Sequence, residues 1–435
     1  MEPYSTFFVS RTRDVIPAFT GYLRGLFQSE RVNLLRMSEV NEVDHQAMQY
    51  LLTDAEVDWE GFGDQVAKEA DALLGGADSA LLLDESAFAK KGVRSAGVER
   101  QWNGRLGKVD NCQVGVFATL CRGEMASLVD VRLYLPRSWT DDEERCRKAA
   151  IPEDQRHFRS KSELALEMVK IARRRGLRFG TVTVDGGYGK EPAFLRELDA
   201  LGERFMADVH CHQTIYRQDP DPEVPAWSGR GKRPVHRKAR CAALRVDQWA
   251  AEQPSEAWRR LTLRDGEKGE LSAEYLHAHV WVWDGIEAQA RCWQVLVRRE
   301  VGATAISHYC LSNASADTPW TELARVQAQR FFIEHSFREA KSECGLADYQ
   351  VRRWDAWHHH VALVTLGTLF LAKQKARGRK QWPMLSFNDL VTALAHLLPR
   401  RQLTAEELAV IIEQRHRLRQ QAKESHAKRS RRALE

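Results

Sequence analysis

Ala80-Leu81-Leu82-Leu83-Asp84 and Thr181-Val182-Thr183-Val184-Asp185 are two short runs of apolar and β-branched residues, each closing on an acid. Runs of this length predict buried strands. The second is broken by Gly186-Gly187-Tyr188-Gly189. Between them, Gln113 to Leu120 and Ser127 to Leu135 flank Cys121-Arg122-Gly123-Glu124, which predicts a hairpin. Lys161 to Arg175 has the pattern of an amphipathic helix, Glu191 to Leu201 reads as a helix and Arg204 to Val209 as a strand. The order is β-β-β-α-β-α-β, and helices between strands imply parallel pairing in an α/β sheet. Asp84 and Asp185 then sit at the carboxyl edge, where such sheets display reactive groups. An Asp that closes a strand into a turn is the bland alternative for either one alone.

Upstream, Phe19, Tyr22, Leu23, Leu26 and Phe27 form one helical stripe, and helix is expected across residues 15–75 until Gly75-Gly76. Downstream, residues 211–311 alternate polar and apolar residues and predict a strand-rich insertion. Thr318 to Lys341 is expected as one long helix opened by Asp317-Thr318-Pro319, and Trp354 to Lys375 as another. A helical C-terminal region follows Arg377-Gly378.

The chain has 435 residues, 43% hydrophobic and 29% charged, a composition that argues against disorder and against a membrane-embedded body. The longest apolar run, Val361 to Ala372, falls short of the roughly 20 residues of a membrane span. Met1-Glu2-Pro3-Tyr4 has no basic or apolar leader, and the eight cysteines are scattered, so a cytosolic protein with reduced thiols is expected. The net charge of +5 hides an asymmetry. Glu39 to Asp78 carries eleven acids and one base, Arg230 to Arg240 six bases and no acid, and Arg415 to Arg432 eight bases against Glu424. Concentrated basic segments fit a polyanionic partner, with Arg230, Lys232, Arg233, Arg237 and Lys238 as candidate phosphate contacts. The acidic segment repels phosphate. Contacts near it would come from Arg11, Arg13, Arg24, Arg31 and Arg36, unless the acids dock on a basic segment.

On a continuous helix at 100° per residue, Gln327, Arg330, Glu334 and Lys341 share a sector of about 60°. One face thus offers an acid between two cations, which suits a metal carboxylate beside a phosphate clamp. A surface salt-bridge lattice is the alternative.

These residues carry a family resemblance. Leu82 to Gly92, Asn111 to Phe117, Leu133 to Thr140, Asp185 to Gly189, Arg330 to His335 and Lys341 to Gln350 resemble, in order, the IS701 family of DDE transposases in the IS4-like group. The resemblance implies an α/β fold whose RNase H-like catalytic core is interrupted by a β-rich insertion domain, with helical N- and C-terminal regions. The expected segments are 1–75 (helical), 76–210 (first part of the core), 211–311 (insertion), 312–376 (second part of the core) and 377–435 (basic and helical). It implies that Asp84, Asp185 and Glu334 form a catalytic triad holding two Mg²⁺ or Mn²⁺ ions. A Y-x2-R-x3-E-x6-K pattern is kept as Gln327, Arg330, Glu334 and Lys341, with Gln in place of Tyr. Arg330 and Lys341 would hold phosphates.

The implied activity is cut-and-paste transposition of a bacterial insertion sequence. It comprises binding of terminal inverted repeats, strand cleavage and strand transfer on double-stranded DNA by a homodimer in the cytoplasm and nucleoid, with no membrane association. A non-catalytic DNA-binding descendant and an RNase H-like nuclease without strand transfer are the alternatives. An insertion tryptophan that stacks on a flipped base belongs to the same picture, with Trp258, Trp281 and Trp283 as candidates and core packing as the bland reading. His210-Cys211-His212 and His358-His359-His360 lack structural-zinc spacing, and Cys112 and Cys344 have no base nearby.

Overall fold

A computed structural model describes residues 2–8, 13–266 and 269–432. The helical N-terminal region consists of α1 (Ile16–Gln28), α2 (Leu34–Val40), α3 (His45–Thr53) and α4 (Trp59–Leu74). Asn33, Asp44 and Asp58 cap the last three by accepting backbone N–H groups. Phe19, Met48 and Phe62 are buried at the heart of this region.

Next come β1 (Ala80–Ala89), β2 (Glu99–Asn103), β3 (Lys108–Arg122) and β4 (Met125–Leu133), then two short helices, α5 (Arg137–Thr140) and α6 (Glu143–Lys148). The longer helix α7 (Lys161–Arg174), β5 (Thr181–Val184), the single turn α8 (Gly186–Gly189), α9 (Pro192–Ala200) and β6 (Phe205–Asp208) complete this half. The β3–β4 hairpin turns at Gly123, whose φ of +60° only glycine adopts freely.

The stretch 211–311 holds β7 (Thr214–Ile215), β8 (Leu244–Arg245), α10 (Val246–Ala251), β9 (Arg259–Gly266), β10 (Gly269–Val282), β11 (Arg291–Glu300) and the start of β12 (Ile306–Ser312). Its long strands do not form a sheet of their own. Through β12 pairing with β6, they continue the central sheet in the order β2-β3-β1-β5-β6-β12-β11-β10-β9, with β4 also on β3. Among the described residues, only β1–β5 and β5–β6 are parallel. The all-buried pattern of Ala80 to Leu83 and of β5 follows from cover on both faces.

The chain ends with α11 (Trp320–Gln329), α12 (Phe331–Glu343), α13 (Trp354–Gly378), α14 (Phe387–Leu397) and α15 (Ala405–Arg432). The continuous helix expected over Thr318 to Lys341 is therefore two helices. At Arg330 the chain makes a tight turn, its N–H reaching the Gln327 carbonyl three residues back at 3.3 Å. The two sides of this turn are held by different partners. Gln327 is buried and accepts from Tyr275 Oη at 3.2 Å, whereas Arg330 and Lys341 face the edge of β1. Gln327 is thus engaged by β10 rather than by the acids, while Arg330 keeps helical angles (φ −55°, ψ −33°) through the turn.

Several of the acids of residues 39–78 are turned onto the rest of the chain. Asp64 pairs with Arg175 at 2.6 Å, Asp71 with Arg178 at 2.9 Å and Asp54 with Arg353 at 3.2 Å. Glu69 pairs with Lys373, and Glu39 with Arg36 and with Arg415 of the basic C-terminal run. Arg13 lies over the Tyr50 ring, while Arg11 falls outside the described residues.

Candidate active site

The β1–β5 ladder ends with Leu83 opposite Val184, and the β5–β6 ladder with Val184 opposite Ala207. The next residue on each strand is an acid: Asp84, Asp185 and Asp208. Three carboxylates therefore line one rung across three parallel strands, each strand about 4.8 Å from the next. Sequence reasoning does not single out Asp208, although Phe205-Met206-Ala207-Asp208 repeats the same pattern of an apolar run closing on an acid.

Asp185 also caps α8, its Oδ1 accepting from the backbone N–H groups of Gly187 (2.9 Å) and Tyr188 (3.3 Å). The glycines here serve close approach: a Cβ on Gly189 would lie 1.9 Å from the Asp208 carbonyl oxygen. Only a bare backbone lets the α8 turn sit against β6.

Glu334 joins this rung through Arg330. The guanidinium places Nε 3.0 Å from Asp208 Oδ2, Nη2 3.0 Å from Glu334 Oε1 and Nη1 3.6 Å from Asp84 Oδ2. One side chain thus spans the first and third acids of the implied triad. Its Nη1 is buried and makes no hydrogen bond. Glu334 itself is 58% exposed at its side chain, so its free oxygen faces solvent.

Charges in this setting are strongly perturbed. Burial first, and then the neighbouring Asp185 carboxylate, push Asp84 up to about 7, against the pull of Arg330. Burial also works to raise Asp208. The hydrogen bond to His308 Nδ1 at 3.3 Å, the Arg330 charge and the Cys310 thiol at 3.0 Å outweigh it and hold Asp208 below the usual carboxylate range. Arg330 is raised despite its burial, because Asp208, Asp84 and Glu334 surround it.

Alternate residues of β1 serve opposite faces. Glu85 takes the Lys161 ammonium of α7 at 2.7 Å. Ser86, on the face of Asp84, accepts from Lys341 Nζ of α12 at 2.7 Å. Burial lowers Lys341 to about 8.

The basic loop belongs to the stretch 211–311, outside the strands that carry this rung. Arg230, Lys232, Arg233 and Lys238 are exposed and, among the described residues, have no carboxylate partner, while Arg237 donates to the Pro222 carbonyl. Trp258 lies under the Arg299 guanidinium, Trp283 donates to the Glu287 carbonyl at 3.0 Å, and Trp281 is bridged through its backbone to Tyr216. All three are half-buried.

His210, Cys211 and His212 do converge, with ligand atoms within 4.8 Å of one another, but His210 and His212 are exposed and the His210 Nδ1 is engaged by the His212 N–H. His358, His359 and His360 disperse to the Trp354 carbonyl, the Leu52 carbonyl and the Tyr22 hydroxyl, respectively. Burial raises both the Cys112 and Cys344 thiols, the reverse of an activated nucleophile. No helix among the described residues is long and apolar enough to cross a membrane.

Comparison with known proteins gives the family of the chain. The chain is 23% identical over 288 residues to the probable transposase for insertion sequence element IS701 of Microchaete diplosiphon, a match that covers 65% of this chain and 62% of that protein. A family model described as DDE superfamily endonuclease matches residues 10–270, a stretch that includes Asp84, Asp185 and Asp208. With more than half of its length matched, the chain belongs to the DDE superfamily of endonucleases.

Proposed function

We propose that this protein is the transposase of a bacterial insertion sequence, a DNA phosphoryl transferase that cleaves at terminal inverted repeats and joins the freed 3′ end to target DNA. The reading is supported above all by one arrangement: Asp84 and Asp185 on neighbouring parallel strands, with Glu334 brought to them by Arg330. The catalytic unit is an RNase H-like core of residues 76–210 and 312–376, interrupted by the β-rich insertion 211–311 and flanked by helical regions 1–75 and 377–435.

Asp84, Asp185 and Glu334 are the residues that would hold two Mg²⁺ or Mn²⁺ ions. Their chemistry suits such ions, because all three are hard oxygen donors and Asp84 is held as an under-compensated acid beside Asp185. When bound, such ions activate the attacking oxygen and stabilise the leaving one.

The remaining work falls to other side chains. Arg330 places a cation among the acids, its Nη1 facing Asp84 without a hydrogen bond and Asp208 fixing the other edge of the guanidinium, and that charge would attract a phosphate oxygen beside them. Lys341 adds a second cation from the Ser86 side. Arg230, Lys232, Arg233, Arg237 and Lys238 bind DNA backbone further out. Trp258, Trp281 and Trp283 are the candidates for contact with an unstacked base, and two copies act together on paired DNA ends, in the cytoplasm.

The test uses Asp84→Asn, Asp185→Asn and Glu334→Gln in the full-length protein, with the element's own end DNA. Each is expected to lose Mg²⁺-dependent cleavage and joining while retaining DNA affinity. Cleavage that survives in any one variant removes that residue from the triad.

A further inference from the structure

The β2–β3 hairpin has properties that the carboxylate site does not explain. Ala89, the last residue of β1, pairs with Cys112, and β3 begins four residues before that point, at Lys108. Asn111 is held just past the end of β1, accepting the Lys90 N–H at 2.8 Å and donating through Nδ2 to the Lys90 and Gly92 carbonyls. Residues 108–110 pair with β2, and the hairpin projects beyond β1 on the same edge of the sheet that carries Asp84, Asp185 and Asp208. The charge of Arg105, in its turn, bears on Lys341 of α12 and helps burial lower that ammonium.

Trp102 is 56% exposed here, and its cross-strand partner Val109 is 50% exposed. By contrast, Trp139 and Trp357 are sealed in the core. On this hairpin and the loop before it, Arg94, Arg100, Arg105 and Lys108 are all exposed, Arg100 on the face of Trp102 and Lys108 on the opposite face. Among the described residues, none of the four is paired with a carboxylate or engaged in a side-chain hydrogen bond. Arginines on nearby elements are: Arg132 with Asp130 and Arg159 with Glu167, for example. The nearest acids in sequence, Glu99 and Asp110, are half-buried, and Asp110 accepts the Asn111 N–H.

An exposed indole amid unpaired cations is the complement of a nucleic acid with accessible base faces. Cations track the backbone, and an aromatic ring stacks on any base regardless of sequence. We infer that the β2–β3 hairpin is a DNA-binding clamp beside the reacting phosphodiester. Arg100, Arg105 and Lys108 hold backbone phosphates, and Trp102 stacks on a base left unpaired at the DNA end. The inference rests on the proposed transposase reading and adds to it a second base-contacting surface outside the insertion.

The experiment compares the full-length wild type with Arg100→Gln/Arg105→Gln/Lys108→Gln, Trp102→Ala and Trp102→Phe. Fluorescence anisotropy, without divalent metal, follows binding to two labelled duplexes of about 30 base pairs, one fully paired and one with three unpaired nucleotides at an end. Each phosphate contact contributes about 0.9 to the log–log salt slope, so the triple variant is expected to lose about 2.7 from it. Trp102→Ala keeps the wild-type slope but loses about 5- to 150-fold of the affinity for the frayed duplex alone, and Trp102→Phe restores most of it.

The substituted side chains are solvent-facing, so unchanged circular dichroism melting is the folding control. A triple variant with the wild-type slope, or a Trp102→Ala variant that discriminates as the wild type does, overturns the clamp and leaves the transposase reading standing. Wild type that binds neither duplex overturns both.

Discussion

Replacing Asp84 by Asn should make the metal-free protein more stable while removing its activity, and the structure sets the size of the gain. The carboxyl is raised from 3.8 to about 7, a difference of roughly 3 units, which at 1.36 kcal/mol per unit is about 4 kcal/mol of unfavourable charge burial when the group is ionised. Because its pKa is higher in the folded state, folding takes up a proton between about pH 4 and pH 7. Stability therefore falls as pH rises through that window, and the loss is complete above about 7.

Asn removes the ionisable group and keeps an oxygen for the Glu85 N–H, which Asp84 Oδ1 accepts at 2.7 Å. It also removes an attraction to Arg330 at 3.6 Å, which offsets part of the gain. The expected net is a stabilisation of about 1–3 kcal/mol at pH 8 that shrinks to near zero at pH 4. At about 2.1 cal/mol/K per residue, a chain of 435 residues gains only about 1–3 °C in Tm, so urea unfolding at a series of pH values is the better assay.

A carboxylate kept for structure gives the opposite sign, since its loss orphans a partner. An Asp84→Asn protein no more stable than wild type at pH 8, or one that still cleaves DNA, refutes the argument that this acid is held in readiness for cations.

Four further expectations follow from particular contacts. Asp208→Asn should leave Arg330 less firmly oriented and lower the cleavage rate about tenfold without abolishing it, with the larger effect on KM for DNA; steady-state cleavage kinetics check this. DNA affinity at constant salt should fall between pH 7 and 9 as Lys341 loses its proton near 8, and anisotropy should show no such fall in Lys341→Met. Gly189→Ala forces a methyl to within 1.9 Å of a backbone oxygen and should cost about 1–3 kcal/mol by urea unfolding, because neither atom is the end of a flexible side chain. Removing the three exposed charges Arg230, Lys232 and Arg233 together should reduce the DNA salt slope by about 2.7, with Mg²⁺-dependent cleavage at saturating DNA unchanged.

What the sequence made legible were features that local chemistry dictates. Two apolar runs closing on Asp84 and Asp185 announced buried parallel strands, and β1 and β5 are such strands, paired in the register that aligns the two acids. The hairpin about Gly123 and the helices α7 and α9 were also legible, from turn chemistry and from helical periodicity. What escaped depends on pairing between distant segments. No local signal tells that β12 joins β6 and so merges residues 211–311 into the central sheet, because a strand edge is chosen by its partner. The break at Arg330 escaped for a related reason. Helical periodicity runs through it, and Arg330 itself keeps helical angles, so the residue pattern carries no mark of the interruption between α11 and α12. Trp102 was invisible for want of burial information, since nothing in its neighbourhood distinguishes an exposed indole from a packed one.

The charge balance at the carboxyl edge bears directly on what this protein can bind. Four acids, Asp84, Asp185, Asp208 and Glu334, surround one cation, Arg330, while Glu85 is already matched by Lys161. With all four ionised the cluster carries three uncompensated negative charges, and protonation of Asp84 near neutrality removes only one. Such an edge repels a phosphodiester, for two like charges 4 Å apart oppose each other by about 1 kcal/mol in water and by more once water is excluded. DNA held by cations elsewhere on the protein can enter this edge only if further positive charge arrives with it. Lys341 can supply one charge from the Ser86 side, and a pair of divalent ions supplies four. The same four acids that make the edge hostile to DNA when alone make it attractive when loaded. Cleavage should therefore depend on divalent metal and DNA together, with each tightening the binding of the other. Mg²⁺ that leaves the affinity for end DNA unchanged in wild type, measured against Asp84→Asn, would contradict that coupling.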